Sequence, residues 1–211
     1  AIPREASATV GIPMAFKERA AVIANILQAD VAAELIHADK NVNLAIQSTT
    51  EPANCIDLTT SANLINAIYA LPHGVMGMSF DMPGTVETST NLASIKMKED
   101  NKIVITTSQR SSTSSLKFDL SNKVKSVFDL AGAETVGTPG YPGWKPDPNS
   151  PILKVSTAVY ERLYGEKPHI ISIHAGLECG LFLERNPKLD MLSCGPTITG
   201  AHSPDEQLQI S

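Results

Sequence analysis

The amino-acid sequence predicts an α+β fold: an antiparallel sheet covered by helices, followed by the edge of a separate α/β sheet. Three observations carry this. Two alternating stretches, Val86 to Met97 and Lys102 to Gln109, flank the polar run Lys98-Glu99-Asp100-Asn101 and read as a hairpin. Stretches with apolar residues at spacings of three and four lie on either side of that hairpin. A segment crowded with proline and glycine, from Gly137 to Asn149, then interrupts the pattern.

Taken in order, residues 3–12 alternate as a strand with one polar face. A long helix follows over about 14–38, with Phe16, Ala20, Ile23, Leu27, Val31 and Leu35 on one stripe. Residues 42–49 alternate as a second strand. A helix over about 59–71 carries Leu64, Ile65, Ile68 and Leu71, and Pro72-His73-Gly74 stops it. Residues 74–85, with their Gly, Met and Pro, read as a loop before the hairpin. A helix over about 114–131 points Leu120, Val124, Val127 and Leu130 inward and ends at Gly132. The predicted order of this first part is β-α-β-α-β-β-α.

The 137–149 segment is the expected boundary or hinge. It holds the chain's only tryptophan, Trp144, which either packs the loop onto a domain or lines a ligand cleft. Beyond it, Ser150 caps and Pro151 opens a helix to about Tyr164, with Ile152, Val155, Val159 and Leu163 as its stripe and Gly165 as its stop. His169 to His174 reads as a short strand, Ala175 to Gly180 as a tight turn, Leu181-Phe182 as a helical piece, and 190–194 as another strand. Sixty residues of α-β-α-β are too few to bury a sheet alone, so the rest of that domain is expected from sequence outside this chain.

Composition narrows the function. The chain has 211 residues, 42% of them hydrophobic, enough for one large domain or two small ones. The formal net charge is -5 with no basic block, which argues against a nucleic-acid partner. No apolar stretch reaches the length of a membrane span. The start, Ala1-Ile2-Pro3-Arg4-Glu5, has neither an initiator Met nor a signal layout, and reads as the inside of something longer. Three dispersed cysteines, Cys55, Cys179 and Cys194, form no Cys-x-x-Cys pair. They fit a reducing cytoplasm, with Cys179 and Cys194 as small buried apolar residues.

Chemistry concentrates near the end. His202 follows the apolar run Met191 to Cys194 in a glycine-flanked turn, and Ser203-Pro204-Asp205-Glu206 reads as a helix start. His202 is thereby expected on a strand-to-helix loop, where layered α/β proteins place functional groups; the alternative is a solvated loop histidine. His174, Gly176 and Glu178 lie in the other polar turn. Imidazole and carboxylate suit zinc, but no His-Glu-x-x-His and no local cluster of three ligands exists, so the residues offer at most a partial metal site. Glu178 and His174 also read as supports that orient a ligand or close the turn by hydrogen bonds, the reading preferred for Glu178. His37, His73 and His169 read as structural or solvated. Arg110 ends a strand before the hydroxyl-rich Ser111-Ser112-Thr113-Ser114-Ser115, and either grips a carboxylate bidentately or forms an exposed salt bridge. Glu87, Thr88, Ser89 and Asn91 give the preceding strand a polar start. Neither a nucleophile elbow nor a phosphate-cradling glycine loop is present.

The segment His174-Ala175-Gly176-Leu177-Glu178-Cys179-Gly180-Leu181-Phe182, together with Gly195 to Glu206, resembles the C-terminal signature of the aminoacyl-histidine (Xaa-His) dipeptidases. Tyr141-Pro142-Gly143-Trp144, Pro146 to Pro151 and the opening Ala1 to Ala6 resemble the same family. The resemblance implies an α/β zinc-peptidase catalytic domain with an inserted α+β lid that mediates dimers. Residues 1–145 would be most of the lid and residues 150–211 the C-terminal portion of the catalytic domain. It implies His202 as a metal ligand, Arg110 as a substrate-carboxylate ligand and Gly176 as a backbone position lining the substrate site. His174 and Glu178 match the motif without a definite role. Two zinc ions, with manganese or cobalt as alternatives, would activate water for dipeptide hydrolysis, preferentially of Xaa-His. The catalytic glutamate and the other ligands would lie outside this chain, leaving the chain alone inactive. Two other readings remain: a non-catalytic dimerising lid fragment, and a related aminoacylase or deacylase.

Overall fold

A computed structural model of the chain describes residues 5–138, 140, 142–144, 147–171, 178–201 and 205–210. They divide into two compact units, one running to Ala62 and the other beginning at Asn63.

The first unit is built on α1, Lys17–Glu34, entered through a 3-10 turn at Met14–Phe16. The half-buried positions of α1 and its end are Ala20, Ala21, Ala24, Gln28, Val31 and Leu35. The covered stripe is therefore rotated from the predicted one: Phe16, Ile23 and Leu27 lie exposed. The strands predicted at 3–12 and 42–49 do not form in the described residues. The second case has a visible cause. Gln28 Nε2 donates to the Val42 carbonyl at 3.1 Å, and Gln28 Oε1 accepts from the Leu44 amide. One side-chain amide thus takes the two backbone groups that a neighbouring strand would have paired. At the end of this unit Asp57 caps the helix Leu58–Ala70 (α2). Its carboxylate accepts from the Thr60 amide at 2.9 Å and from the Thr60 hydroxyl at 2.6 Å.

The second unit holds the sheet, which is antiparallel throughout in the order β1-β2-β3: β1 is Gly74–Met78, β2 Val86–Met97 and β3 Ile103–Ser111. The predicted hairpin is present, and Asn101 turns it with a φ of 59°. β1 corrects the loop expected at 74–85. Its Gly-Val-Met-Gly-Met sequence hides the alternation, and two register shifts interrupt its pairing with β2. β2 has its own irregularity: Leu92 faces Thr107 and Ser94 faces Thr106, so Ala93 is an extra residue.

Helix α3, Ser114–Leu130, covers one face of this sheet. Leu71, Val124 and Phe128 are its buried centre, with Leu92, Ile105 and Val127 packed against them. Leu120 and Ala67 are buried too. Leu130, predicted inward, is 90% exposed, and Phe128 takes the inward position instead. Gly132, with φ 75°, lets the chain leave the helix, and the Ala133 amide closes onto the Phe128 carbonyl at 2.9 Å.

Further along, α4 spans Pro151–Tyr164 as predicted, with Ser150 accepting from the Leu153 amide and Gly165 in the left-handed region. Asp190 adds a second cap: it accepts from the Ser150 hydroxyl at 2.5 Å and from the Ile152 amide at 2.8 Å. The stripe predicted on α4 is not covered, since Val155 is 63% and Leu163 66% exposed. Of the strands predicted after α4, 190–194 is irregular, while 169–171 are irregular and 172–174 lie outside the described residues. Helix α5, Glu178–Arg185, extends the predicted helical piece. Ile198–Thr199 (β4) pairs antiparallel with Gln207–Leu208 (β5). This corrects the helix predicted from Ser203: Asp205 is in a turn, and the chain then returns as a strand. Cys179 is half-buried and Cys194 exposed, so neither is the buried apolar residue expected.

Candidate functional site

The site of interest forms where β3 ends. Side chains of a strand alternate between faces. Leu92 and Ile105 face α3, so Thr88, Thr90, Gln109 and Ser111 share that side by register, and Ser89 and Arg110, a Cα pair, share the other. Arg110 is exposed on the sheet face away from α3. The side behind it is fixed by polar contacts. Thr88 Oγ1 and Ser111 Oγ lie 2.9 Å apart and are buried. Gln109 Nε2 donates to Thr90 Oγ1 at 3.2 Å. Ser111 Oγ also accepts from the Thr113 amide at 3.1 Å.

Glu87 secures the turn that follows. Its carbonyl accepts from the Ser112 amide at 3.2 Å, and its Oε1 accepts from the Ser112 and Thr113 hydroxyls at 3.4 and 3.2 Å. The hydroxyls of Ser111, Ser112 and Thr113 therefore hold their own strand end.

Two glycines bring the later part of the unit against this corner. A Cβ on Gly143 would lie 2.5 Å from the Ser112 carbonyl oxygen and 2.8 Å from that of Ser111. A Cβ on Gly180 would lie 2.7 Å from the Pro142 carbonyl oxygen. The Pro142-Gly143 backbone thus runs close to both the end of β3 and the first turn of α5. Glu178, the first residue of α5, is exposed. Arg110 and Glu178, far apart in sequence, belong to elements that both approach this segment. Trp144, next in the segment, is half-buried.

His174, Gly176 and His202 lie outside the described residues. For His202, the flanking structure is known: Thr199 pairs with Gln207, which draws together the two ends of the segment that contains it. His73 is structural, its Nδ1 accepting from the Leu92 amide at 3.1 Å. Among the described residues no group of three or more His, Cys, Asp or Glu could hold a metal ion. Two carboxyls are held below their ordinary value. Asp190 is lowered by the Ser150 hydroxyl and then the Ile152 amide, and Asp57 by the Thr60 hydroxyl and then its amide. Both stabilise helix starts. The residues that sequence reasoning passed over are Gly143, Gly180 and Glu87. The two glycines stood inside quoted motifs and Glu87 inside a polar strand start, but only tertiary packing reveals what they touch.

No protein-family model matches the chain. It is similar to the cytosol non-specific dipeptidase of Escherichia coli (strain K12), with 40% identity over 210 residues, which are 100% of this chain and 43% of the relative. Among solved structures it matches the aminoacylhistidine dipeptidase from Vibrio alginolyticus with a TM-score of 0.81 and 38% identity, over 93% of this chain and 40% of that one. The chain spans less than half the length of either. Identity at that level along the whole sequence, with the α+β architecture shared, makes the chain similar to one part, under half, of the aminoacylhistidine, or cytosol non-specific, dipeptidases.

Proposed function

We propose that this chain forms the lid and the adjoining catalytic-domain portion of a cytoplasmic dipeptidase, and that the whole polypeptide hydrolyses dipeptides with a preference for Xaa-His. The observation that carries the reading is the 40% identity to a dipeptidase across the whole chain. In this reading residues 1–145 are most of the lid, through which two copies dimerise, and residues 150–211 belong to the catalytic domain. Arg110 binds the substrate's C-terminal carboxylate. Its place on the sheet face away from α3, at a strand end fixed from behind, suits a charge that must reach a ligand without moving its backbone. His174, Gly176 and Glu178 line the substrate site.

Zinc is the proposed cofactor, with manganese or cobalt as alternatives. The described residues do not make a metal centre by themselves. His202 would contribute one imidazole, and the remaining donors would come from other parts of the polypeptide. What this chain supplies is therefore binding and orientation: a cation for the substrate carboxylate, and closure that keeps water out.

The test uses the entire polypeptide that carries these residues. Arg110→Ala should raise KM for a Xaa-His dipeptide by about 10- to 150-fold, the equivalent of losing a charge-assisted hydrogen bond of about 1.5–3 kcal/mol. The C-terminal amide of the same dipeptide should be affected far less. Faster turnover of an N-acetyl amino acid than of the dipeptide would replace this reading with the deacylase, and absence of any turnover would leave the lid fragment.

A further inference from the structure

We propose that Gly143 is a positioning residue for Arg110, acting through the backbone of Ser111 and Ser112. The proposal rests on the reading that Arg110 binds the substrate carboxylate. The geometry is asymmetric in a telling way. Gly143 is not in the left-handed region, so its backbone conformation is open to other residues and space alone calls for glycine. The space is denied by two backbone carbonyls, at 2.5 and 2.8 Å from a Cβ, which have no side-chain freedom with which to yield. Adding even a methyl group must move Ser111 and Ser112, or push the Pro142-Gly143 segment away from them.

The segment cannot retreat easily. Gly180 also confines it, since the Pro142 carbonyl oxygen lies 2.7 Å from where a Gly180 Cβ would be. Gly143 and Gly180 therefore make two clearances for one stretch of backbone. Ser111 is also held by Thr88 and Ser112 by Glu87, so a push at this point is passed to the residue next in line, Arg110. A displacement of about 1 Å in a binding group is enough to cost a large factor in catalysis.

The experiment compares Gly143→Ala, Arg110→Ala and the double variant in the entire polypeptide. Substrates are a Xaa-His dipeptide and its C-terminal amide. Gly143→Ala should raise KM for the dipeptide about tenfold or more, with kcat and the amide's kinetics little changed. Added to Arg110→Ala it should produce almost no further loss, because both changes act on one interaction. Equal damage to both substrates, or full additivity with Arg110→Ala, would overturn the proposal by making Gly143 a general packing residue. If Arg110→Ala itself fails to separate dipeptide from amide, the carboxylate reading fails; if it succeeds and Gly143→Ala does not, only the positioning role fails. Gly180→Ala, which presses on the same segment from α5, serves where Gly143→Ala does not fold and has the same two outcomes. Failure of both to fold, judged by far-ultraviolet circular dichroism, would also overturn the proposal.

Discussion

Replacing Ser111 with alanine should be far more damaging than replacing its partner Thr88 with valine, although the two hydroxyls share one contact of 2.9 Å. The difference follows from what each change strands. Ser111 Oγ serves two groups, the Thr88 hydroxyl and the Thr113 amide at 3.1 Å. Ser111→Ala removes the bond to Thr113, about 1 kcal/mol, and leaves the buried Thr88 hydroxyl without that partner, about 1–3 kcal/mol more. The sum is roughly 2–4 kcal/mol, or about a 30- to 800-fold rise in local opening. Thr88→Val leaves Ser111 Oγ still accepting from the Thr113 amide, so a smaller cost, about 0.5–1.5 kcal/mol, is expected. The double variant should cost less than Ser111→Ala alone, because no hydroxyl is then left buried beside a methyl group. Hydrogen exchange of the β2 and β3 amides reads these local openings directly. Equal effects of the two single changes, or a double variant equal to their sum, would refute the reasoning.

Other outcomes follow from the core and the caps. Phe128→Ala should destabilise the sheet unit by about 3–5 kcal/mol in denaturant unfolding, while Leu130→Ala, two residues on but 90% exposed, should stay within about 0.5 kcal/mol. Asp57 and Asp190 have folded pKa values below the ordinary 3.8, so their capping is fully present above 3.8 and is lost as pH falls through the depressed values. Amide exchange at Thr60 and Ile152, corrected for intrinsic rates, should thus hold from neutrality to about pH 5 and rise below 3.8. Asp190→Asn should abolish that pH dependence at Ile152 and leave Thr60 as it was.

What the sequence made legible was local. The β2–β3 hairpin could be read because its alternation and its polar turn agree, and α4 because Ser150, Pro151 and Gly165 mark both ends. The misreadings occurred where the partner of a segment was not the expected one. Residues 42–49 alternate like a strand, but Gln28 takes the backbone groups at 42 and 44. Asp205 and Glu206 look like a first helical turn, but Gln207 and Leu208 pair back with β4. β1 lacks alternation altogether and is a strand only because β2 lies beside it. The candidate site follows the same division. Arg110 stood out by residue type and its place at a strand end. The glycines that confine its neighbourhood gave no sign, since clearance between distant backbones is written in no periodicity.

The surplus residue at Ala93 bears on how this strand tolerates change in length. Because Leu92 and Ser94 already face consecutive positions of β3, removing Ala93 would leave a continuous ladder. The side chains before and after the cut would keep their faces. Deleting a residue from a regular stretch would instead turn everything downstream inside out. Ala93 therefore marks a seam, a point where related sequences can gain or lose a residue while both the buried centre and the Arg110 corner stay in phase.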